Sequence, residues 1–185
     1  MNEVQLIRQQ LALERQHVGA VANACAALAG GTATEGLGQF RRACVDYLAC
    51  VLAWFEERDQ RLAELLSAGS PAAQPHRQAI EEALARGGRS RETLARLEAA
   101  CAASAAPDGP ARQQAWREFG EHFNSAWSAR RDAIDALLAI NSRVSDWRTL
   151  GGIDADSILE ERRRYALVQA QAPPEVALGA AATPI

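Results

Sequence analysis

Hydrophobic side chains recur along most of this chain at steps of three and four residues, the spacing that puts them on one face of an α-helix. The first such stretch runs from Val4 to Leu28 and stops before Gly30 and Gly31, which favour a helix end. Alanine, the strongest helix former, is abundant, and runs of β-branched residues are absent. The sequence therefore predicts an all-α protein.

Breaks rich in glycine, proline or serine separate the helical stretches. Beyond the first helix, the predicted helices cover about 39–66, 76–104, 111–142 and 155–168. Gly87 and Gly88 are expected to kink or split the third helix. Four long helices with short connections predict an up-down-up-down four-helix bundle, followed by a short C-terminal fifth helix. We expect one bundle domain over residues 1–170 and a disordered tail over 171–185.

The charge composition excludes several classes of function. The chain has 185 residues and a formal net charge of -3, which argues against a generally basic nucleic-acid binder. All 20 basic residues are arginine, so mechanisms that depend on a lysine amine are excluded. The start of the chain lacks a signal-peptide pattern, and no stretch approaches the roughly 18 apolar residues of a membrane span. We therefore expect a cytoplasmic protein without membrane or nucleic-acid partners.

Two apolar stripes run along the second predicted helix. One comprises Val45, Leu48, Leu52, Phe55, Leu62 and Leu66, and the other comprises Phe40, Cys44, Tyr47, Val51 and Trp54. Apolar faces on two sides predict either a helix buried against several neighbours or a contact with another subunit. The second face is therefore a candidate surface for a protein partner or a homodimer.

Reactive and aromatic side chains mostly fall on apolar stripes. The four cysteines (Cys25, Cys44, Cys50 and Cys101) form no C-x-x-C pair and are expected to be structural thiols. Trp116, Phe119, Phe123 and Trp127 recur at helical spacing and are expected in the core. Catalytic Ser-His-Asp and glycine-rich phosphate motifs are absent, so the motifs do not predict an enzyme.

Polar residues that interrupt the apolar stripes are the candidate site. An ionised carboxylate in a helix seam costs free energy unless a partner, a proton or a metal ion compensates it. The candidates are Glu14 and His17 in the first helix, Glu56 and Asp59 in the second, and Glu118 and His122 in the fourth. If adjacent helices bring them together, they form a nitrogen and oxygen ligand set suited to iron, manganese or zinc.

Ordinary ion pairing explains the same residues without a metal ion. Glu14 can pair with an arginine of another helix, while Glu56 and Asp59 lie close in sequence to Arg58 and Arg61. The charged run 160–164 in the fifth helix is expected to be a solvated face. A third interpretation, general acid-base catalysis by the buried carboxylates, rests on the same stripe interruptions.

Several of these segments resemble the hemerythrin-like, HHE cation-binding, domain family. The segment 11–17 (LALERQH) with the later glycine break is similar to the family's first helix. In the second helix Glu56 matches a family glutamate, but Leu52 stands where the family has histidine. In the fourth helix His122 matches, while Ala126 replaces the family's acid. The Asp146-Trp147 pair is also similar to family tails.

The resemblance implies a helical bundle that binds one cation or a reduced iron site for redox, oxygen or iron sensing. A complete di-iron centre of the family uses five histidines, and this chain has three. Reversible oxygen carriage is therefore not expected. The alternative is a metal-free helical adaptor or chaperone-like protein that binds a partner protein.

Overall fold

The computed structural model describes residues 3–28, 35–67, 74–103, 110–139, 155–174, 176 and 178. Every regular element in these ranges is an α-helix, which confirms the predicted all-α class. The helices are α1 (Glu3–Leu28), α2 (Glu35–Ser67), α3 (Gln74–Ala103), α4 (Pro110–Ala139) and α5 (Ala155–Gln171). None of these described helices combines the length and the hydrophobicity that crossing a membrane requires.

The helix ends lie close to the predicted ones, with two informative differences. α2 begins at Glu35, four residues before its predicted start, and α5 extends to Gln171. α3 is continuous through Gly87 and Gly88, so of the two expectations for this pair, a kink or a split, the split is wrong. Packing of α3 against both α2 and α4 offsets the low helix propensity of glycine. The predicted helix end at Gly30 and Gly31 lies outside the described residues, as do residues 107–109 of the connection before α4, which begins at Pro110.

The contacts between helices close into a ring. α1 packs against α2, α2 against α3, α3 against α4, and α4 against α1, with the α3–α4 contact the most extensive. α5 packs outside this ring against α2, and its side chains also reach α1. α2 therefore has three helical neighbours, which accounts for its two apolar stripes.

α2 contributes more residues to the described core than any other helix, and α4 contributes three large aromatic side chains. The buried residues of α2 include Phe40, Cys44, Val45, Tyr47, Leu48, Val51, Leu52 and Phe55, and those of α4 include Trp116, Phe119 and Phe123. Both predicted stripes of α2 are thus buried within a single chain over this range. The side chains of Leu62, Leu66 and Trp127 lie outside the described part.

Part of the segment after α5 also lies against the core. The backbone N–H of Val176 donates to the carbonyl oxygen of Pro173 at 2.9 Å, and that of Leu178 donates to Val176 at 3.1 Å. Val176 and Leu178 are partly buried against core residues. These positions belong to the tail predicted as disordered, of which residue 175, residue 177 and residues 179–185 lie outside the described part.

Alanine at Gly87 or Gly88 is expected to stabilise the protein. A Cβ built at either position meets no other heavy atom within 4 Å. Since glycine in a helix interior is about 0.8–1 kcal/mol less favourable than alanine, each substitution should raise the free energy of unfolding by up to about that amount. Urea denaturation measures the change, and a loss of stability in both variants would show that the pair is needed for packing.

Candidate functional site

Glu14 is buried in α1 and paired with an arginine of α2. Its side chain is 2% exposed, and both carboxylate oxygens accept hydrogen bonds from the Arg58 guanidinium, at 2.6 and 2.8 Å. Arg58 is itself buried. A two-pronged pair of this kind is the strongest geometry by which an arginine compensates a buried carboxylate. The charge in the first apolar stripe is therefore balanced by Arg58.

His17, one turn further along α1, faces α5. Its Nδ1 lies 2.8 Å from Oε1 of Glu161, and because an ionised carboxylate can only accept, Nδ1 is the donor. The hydroxyl of Tyr47 in α2 donates to the same oxygen at 2.8 Å. Glu161, which is 1% exposed, thus joins three helices through one oxygen atom.

An aromatic stack completes this buried cluster. The ring of Tyr165 lies parallel to the imidazole of His17, with centroids 3.8 Å apart and an interplanar angle of 11°. Tyr165 also contacts the ring of Tyr47 at a tilted angle, with centroids 5.8 Å apart. We call Glu14, His17, Tyr47, Arg58, Glu161 and Tyr165 the buried ionic cluster. It links α1, α2 and α5.

Burial and negative charge make the two phenols of the cluster hard to ionise. The pKa of Tyr47 is raised far above its ordinary value, first by burial and then by the nearby Glu161 carboxylate, which also accepts its hydrogen bond. The pKa of Tyr165 is raised by burial and by Glu161. Both phenols therefore remain neutral donors or apolar surfaces at physiological pH.

Three polar atoms of the cluster have no hydrogen-bond partner among the described residues. They are Nε2 of His17, Nε of Arg58 and Oε2 of Glu161. Unpaired buried polar atoms cost free energy, and they often mark a water or a ligand site. Of these three atoms, Nε2 of His17 and Oε2 of Glu161 are the two that could bind a cation or accept a hydrogen bond from a ligand.

The two predicted ligands from α2 line a small cavity next to α3. Glu56 is half-exposed and pairs with Arg91 of α3 at 2.5 Å, an ordinary ion pair whose partner is not the neighbouring Arg58 or Arg61 that the sequence suggested. Asp59 is buried. Both line a cavity of about 10 Å³ beside Gly87 and Gly88, which has room for about one water molecule.

The two predicted ligands from α4 lie near the surface. Glu118 is half-exposed, accepts a hydrogen bond from Gln114 at 2.9 Å, and lies 4.0 Å from the guanidinium of Arg96. His122 is exposed. Among the described residues no group of three or more His, Cys, Asp and Glu side chains is arranged to hold a metal ion. Of the six predicted ligands, Glu14 and His17 alone belong to the buried ionic cluster.

The expectation that the run 160–164 is a solvated face is wrong for Glu161. Its neighbours Glu160 and Arg163 do pair at the surface, at 2.8 and 2.9 Å, whereas Glu161 turns inward. Glu161, Tyr165 and Val168 follow the i, i+4, i+7 pattern of a buried stripe, and all three are buried. The pattern that identified Glu14, a carboxylate within an apolar stripe, therefore also occurs in α5 at Glu161.

Tyr47, Arg58 and Tyr165 are the other cluster residues that sequence reasoning did not assign to a site. Tyr47 was placed on an apolar stripe, but nothing in its spacing indicates a partner for its hydroxyl 114 residues away in sequence. Arg58 was considered only as a surface partner of its acidic neighbours. Its neighbour Arg61 does behave that way, pairing with the exposed Glu57 one turn before it.

An open groove lies beside the cluster, between α2 and α5. It has a volume of about 680 Å³, and its lining comprises Gly38, Gln39, Arg42, Ala43, Asp46, Arg163, Arg164, Leu167 and Gln171. Arg164 connects its two walls by donating to the backbone carbonyl oxygen of Asp46 at 3.1 Å. Leu167 on the α5 wall is 47% exposed.

Charge and apolar surface coincide along this side of α5. Arg163 and Arg164 both donate to Glu160, and these hydrogen bonds hold the pKa of the Glu160 carboxyl at about 2. Leu159, one turn before Arg163, is 60% exposed. Of the three large hydrophobic side chains that are exposed in the described part of the chain, two, Leu159 and Leu167, belong to α5. Exposed leucines and paired arginines therefore lie side by side on the outer side of α5.

The described cysteines fit the structural interpretation. Cys44 is buried, Cys50 is half-buried, and both are free thiols. Burial raises the pKa of the Cys50 thiol, which disfavours the reactive thiolate. The side chains of Cys25 and Cys101 lie outside the described part.

Comparison with known proteins adds no relative to this picture. No protein-family model matches the sequence, and no match was found among curated proteins or among solved structures. The geometry of the chain itself therefore carries the functional argument.

Removing one partner of the Glu14–Arg58 pair is expected to be much more destabilising than removing both. Arg58→Met leaves a buried, unpaired carboxylate, which typically costs about 3–5 kcal/mol. In the double variant Glu14→Leu with Arg58→Met neither charge remains, so we expect it to be more stable than Arg58→Met alone. Urea denaturation of both variants tests this, and additive losses would contradict it. Arg61→Met, which breaks the exposed pair with Glu57, serves as the control and should cost less than about 1 kcal/mol.

Neither tyrosine should ionise while the protein is folded. The chain has two tyrosines, and the pKa of each is raised in the folded state. A raised pKa means that the resulting stability is complete below the ordinary value of about 10 and is lost as the pH rises above it. In an alkaline titration, phenolate absorbance should appear together with loss of the helical circular dichroism signal. A phenolate step in a chain that stays fully helical would contradict this, and the urea-unfolded chain gives the reference titration.

Proposed function

We propose that this chain is a helical adaptor that binds a partner protein in the groove between α2 and α5. The observation that supports it is the groove itself, about 680 Å³ in volume and lined by Arg42, Arg163, Arg164 and the exposed Leu167. Arginines beside an apolar side chain suit a segment that carries both acidic and apolar residues. The buried ionic cluster fixes α5, and therefore the position of one groove wall.

We further propose that α1 to α4 form an up-down-up-down four-helix bundle. The supporting observation is the length of the connections. Segments 29–34, 68–73 and 104–109 join helices that contact each other, and each segment has six residues. A short connection between long contacting helices favours an antiparallel arrangement. The bundle is then the platform and α5 the element that shapes the binding surface.

The partner surface differs from the one that the sequence suggests. From Phe40 to Phe55 the two apolar stripes of α2 are buried by neighbouring helices of the same chain, except for Trp54, which is partly buried. A partner or second subunit could reach that face only if a helix moved away. The groove and the outer side of α5 are open without any rearrangement.

Substitutions in the groove should abolish partner capture without unfolding the chain. Arg42→Glu with Leu167→Glu reverses one charge and removes one exposed apolar contact. A matched control is Arg117→Glu with Leu6→Glu, since Arg117 is also an exposed arginine and Leu6 is 49% exposed against 47% for Leu167. Hot-spot substitutions of this kind typically cost about 2 kcal/mol or more, a loss of at least about tenfold in affinity.

The wild-type chain and the two double variants are each expressed in cells of the organism that the sequence comes from. The proteins captured with each chain are then compared by quantitative mass spectrometry. The proposal predicts a protein that the wild type and the control variant retain and that the groove variant loses. Equal capture by all three, or no protein enriched on the wild type, would contradict it.

Cation binding remains a second candidate function, supported by the unpartnered Nε2 of His17 and Oε2 of Glu161. The predicted six-residue metal site is disfavoured, because both carboxylate oxygens of Glu14 already accept hydrogen bonds from Arg58. Metal analysis of untagged protein tests the candidate. Stoichiometric iron, manganese or zinc that is lost in His17→Ala and kept in His122→Ala would place a cation at the cluster. Substoichiometric metal in the wild type would exclude it.

A further inference from the structure

The lining of the groove between α2 and α5 carries more positive than negative charge, although the chain as a whole is acidic. Over the whole chain 23 acidic residues outnumber 20 basic ones. The groove lining contains three arginines and one acidic residue, namely Arg42, Asp46, Arg163 and Arg164. Complementary potentials favour association and like charges oppose it, so this lining favours an anionic group on the partner.

The two arginines on the α5 wall already have a carboxylate partner within the chain. Arg163 donates to both oxygens of Glu160, at 2.8 and 2.9 Å, and Arg164 donates to the same side chain at 2.6 Å. Arg164 also donates to the backbone carbonyl oxygen of Asp46 at 3.1 Å. Glu160 therefore occupies the hydrogen-bond donors that this wall would otherwise offer to a ligand.

Arg42, on the α2 wall, differs from these two arginines. Its side chain is exposed, and no carboxylate in the described part of the chain lies within ion-pair distance of it. Asp46 lies one turn further along the same helix and is also exposed, but the two side chains do not pair with each other. Among the described arginines of the groove, Arg42 is thus the one whose charge is not already matched.

Apolar surface lies next to this charge. Ala43, which follows Arg42 on α2, is partly buried against the core, and Leu167 on the opposite wall is 47% exposed. Both line the groove together with Arg42. A charged group that binds beside apolar side chains is partly removed from water, which strengthens its attraction to a guanidinium. A ligand that fits this part of the groove carries a negative group and an apolar group side by side.

Asp46 limits how much negative charge the groove accepts. Because its exposed side chain belongs to the same lining, a phosphate or a run of phosphates that approached Arg42 would also be repelled by Asp46. One guanidinium can pair with one carboxylate through two parallel hydrogen bonds. The charges therefore favour an acidic peptide segment over a nucleic acid or another polyanion.

We propose that the partner segment bound in this groove contains an aspartate or glutamate whose carboxylate pairs with Arg42, next to an apolar side chain that covers Leu167. The inference rests on the proposed adaptor function and adds the residue that selects the partner. Because Glu160 competes with the partner for the two arginines of α5, Arg42 contributes more to binding than either of them.

Selection from a random peptide library provides a ligand for the test. Short peptides displayed on phage are bound to the full-length wild-type chain, and those that also bind the groove variant, Arg42→Glu with Leu167→Glu, are removed. The remaining peptides should contain an acidic residue together with an aliphatic or aromatic one. Their mean net charge should be more negative than that of the unselected library.

Affinities of one selected peptide, measured by fluorescence anisotropy, then test the role of Arg42. Arg42→Gln should weaken binding by about tenfold, the effect of one charge-assisted hydrogen-bonded contact, and Arg163→Gln should weaken it less because Glu160 already holds that guanidinium. The matched control is Arg117→Gln, which removes an exposed arginine of α4. Glu160→Gln should instead tighten binding, since the loss of its carboxylate releases Arg163 and Arg164.

The outcomes separate this inference from the adaptor proposal. Selected peptides that are neutral or basic, or equal affinities of Arg42→Gln and Arg117→Gln, would overturn the inference and leave the groove as a binding surface. If no peptide prefers the wild type over the groove variant, the inference is also overturned, and the capture experiment decides the adaptor function by itself. Circular dichroism verifies that every variant is folded.

Discussion

A carboxylate in a helical core must be compensated, and this requirement connects the parts of the described structure. Glu14 is compensated by the two-pronged contact with Arg58, which joins α1 to α2. Glu161 is compensated by donors from the same two helices, His17 and Tyr47. Such contacts contribute little net stability over an apolar core, but they permit one arrangement of the helices because misplacing any partner leaves a buried charge unpaired. The place of α5 follows from that constraint.

The position of α5 in turn determines what the surface offers to other molecules. With Glu161 turned inward, Leu159, Arg163 and Leu167 are directed to the opposite side of the helix, where Leu167 and Arg163 line the groove. The same helix thus has a polar anchoring face and an outer face that mixes charge with exposed leucine. A helix with one buried anchoring face and an outer face that carries exposed leucines suits a protein whose role is to bind other chains. That role is what we propose for this bundle.

The helical class and most helix ends followed from periodicity, because the spacing of apolar residues is a local property of the sequence. Glu14 was singled out for the same reason, since a charge within a stripe is visible without knowing the fold, and His17 followed from its spacing of three residues; both are buried, and their role as metal ligands stays a prediction. The identity of their partners was not visible, because Arg58 and Glu161 are 44 and 144 residues away from them in sequence. Glu161 was assigned to a solvated run because its charged neighbours dominate the local pattern, although its own stripe with Tyr165 and Val168 marked it as buried.

Amide hydrogen exchange, followed by mass spectrometry, tests most directly whether the buried Glu161 holds α5 in place. The wild-type chain is compared with Glu161→Gln, which removes the charge and retains the shape. The account predicts that exchange in α5 becomes faster by about tenfold or more, the effect of weakening charge-assisted hydrogen bonds, while α3 and α4 keep their protection. Unchanged protection of α5, or equal acceleration in all helices, would contradict the claim that this carboxylate positions the fifth helix.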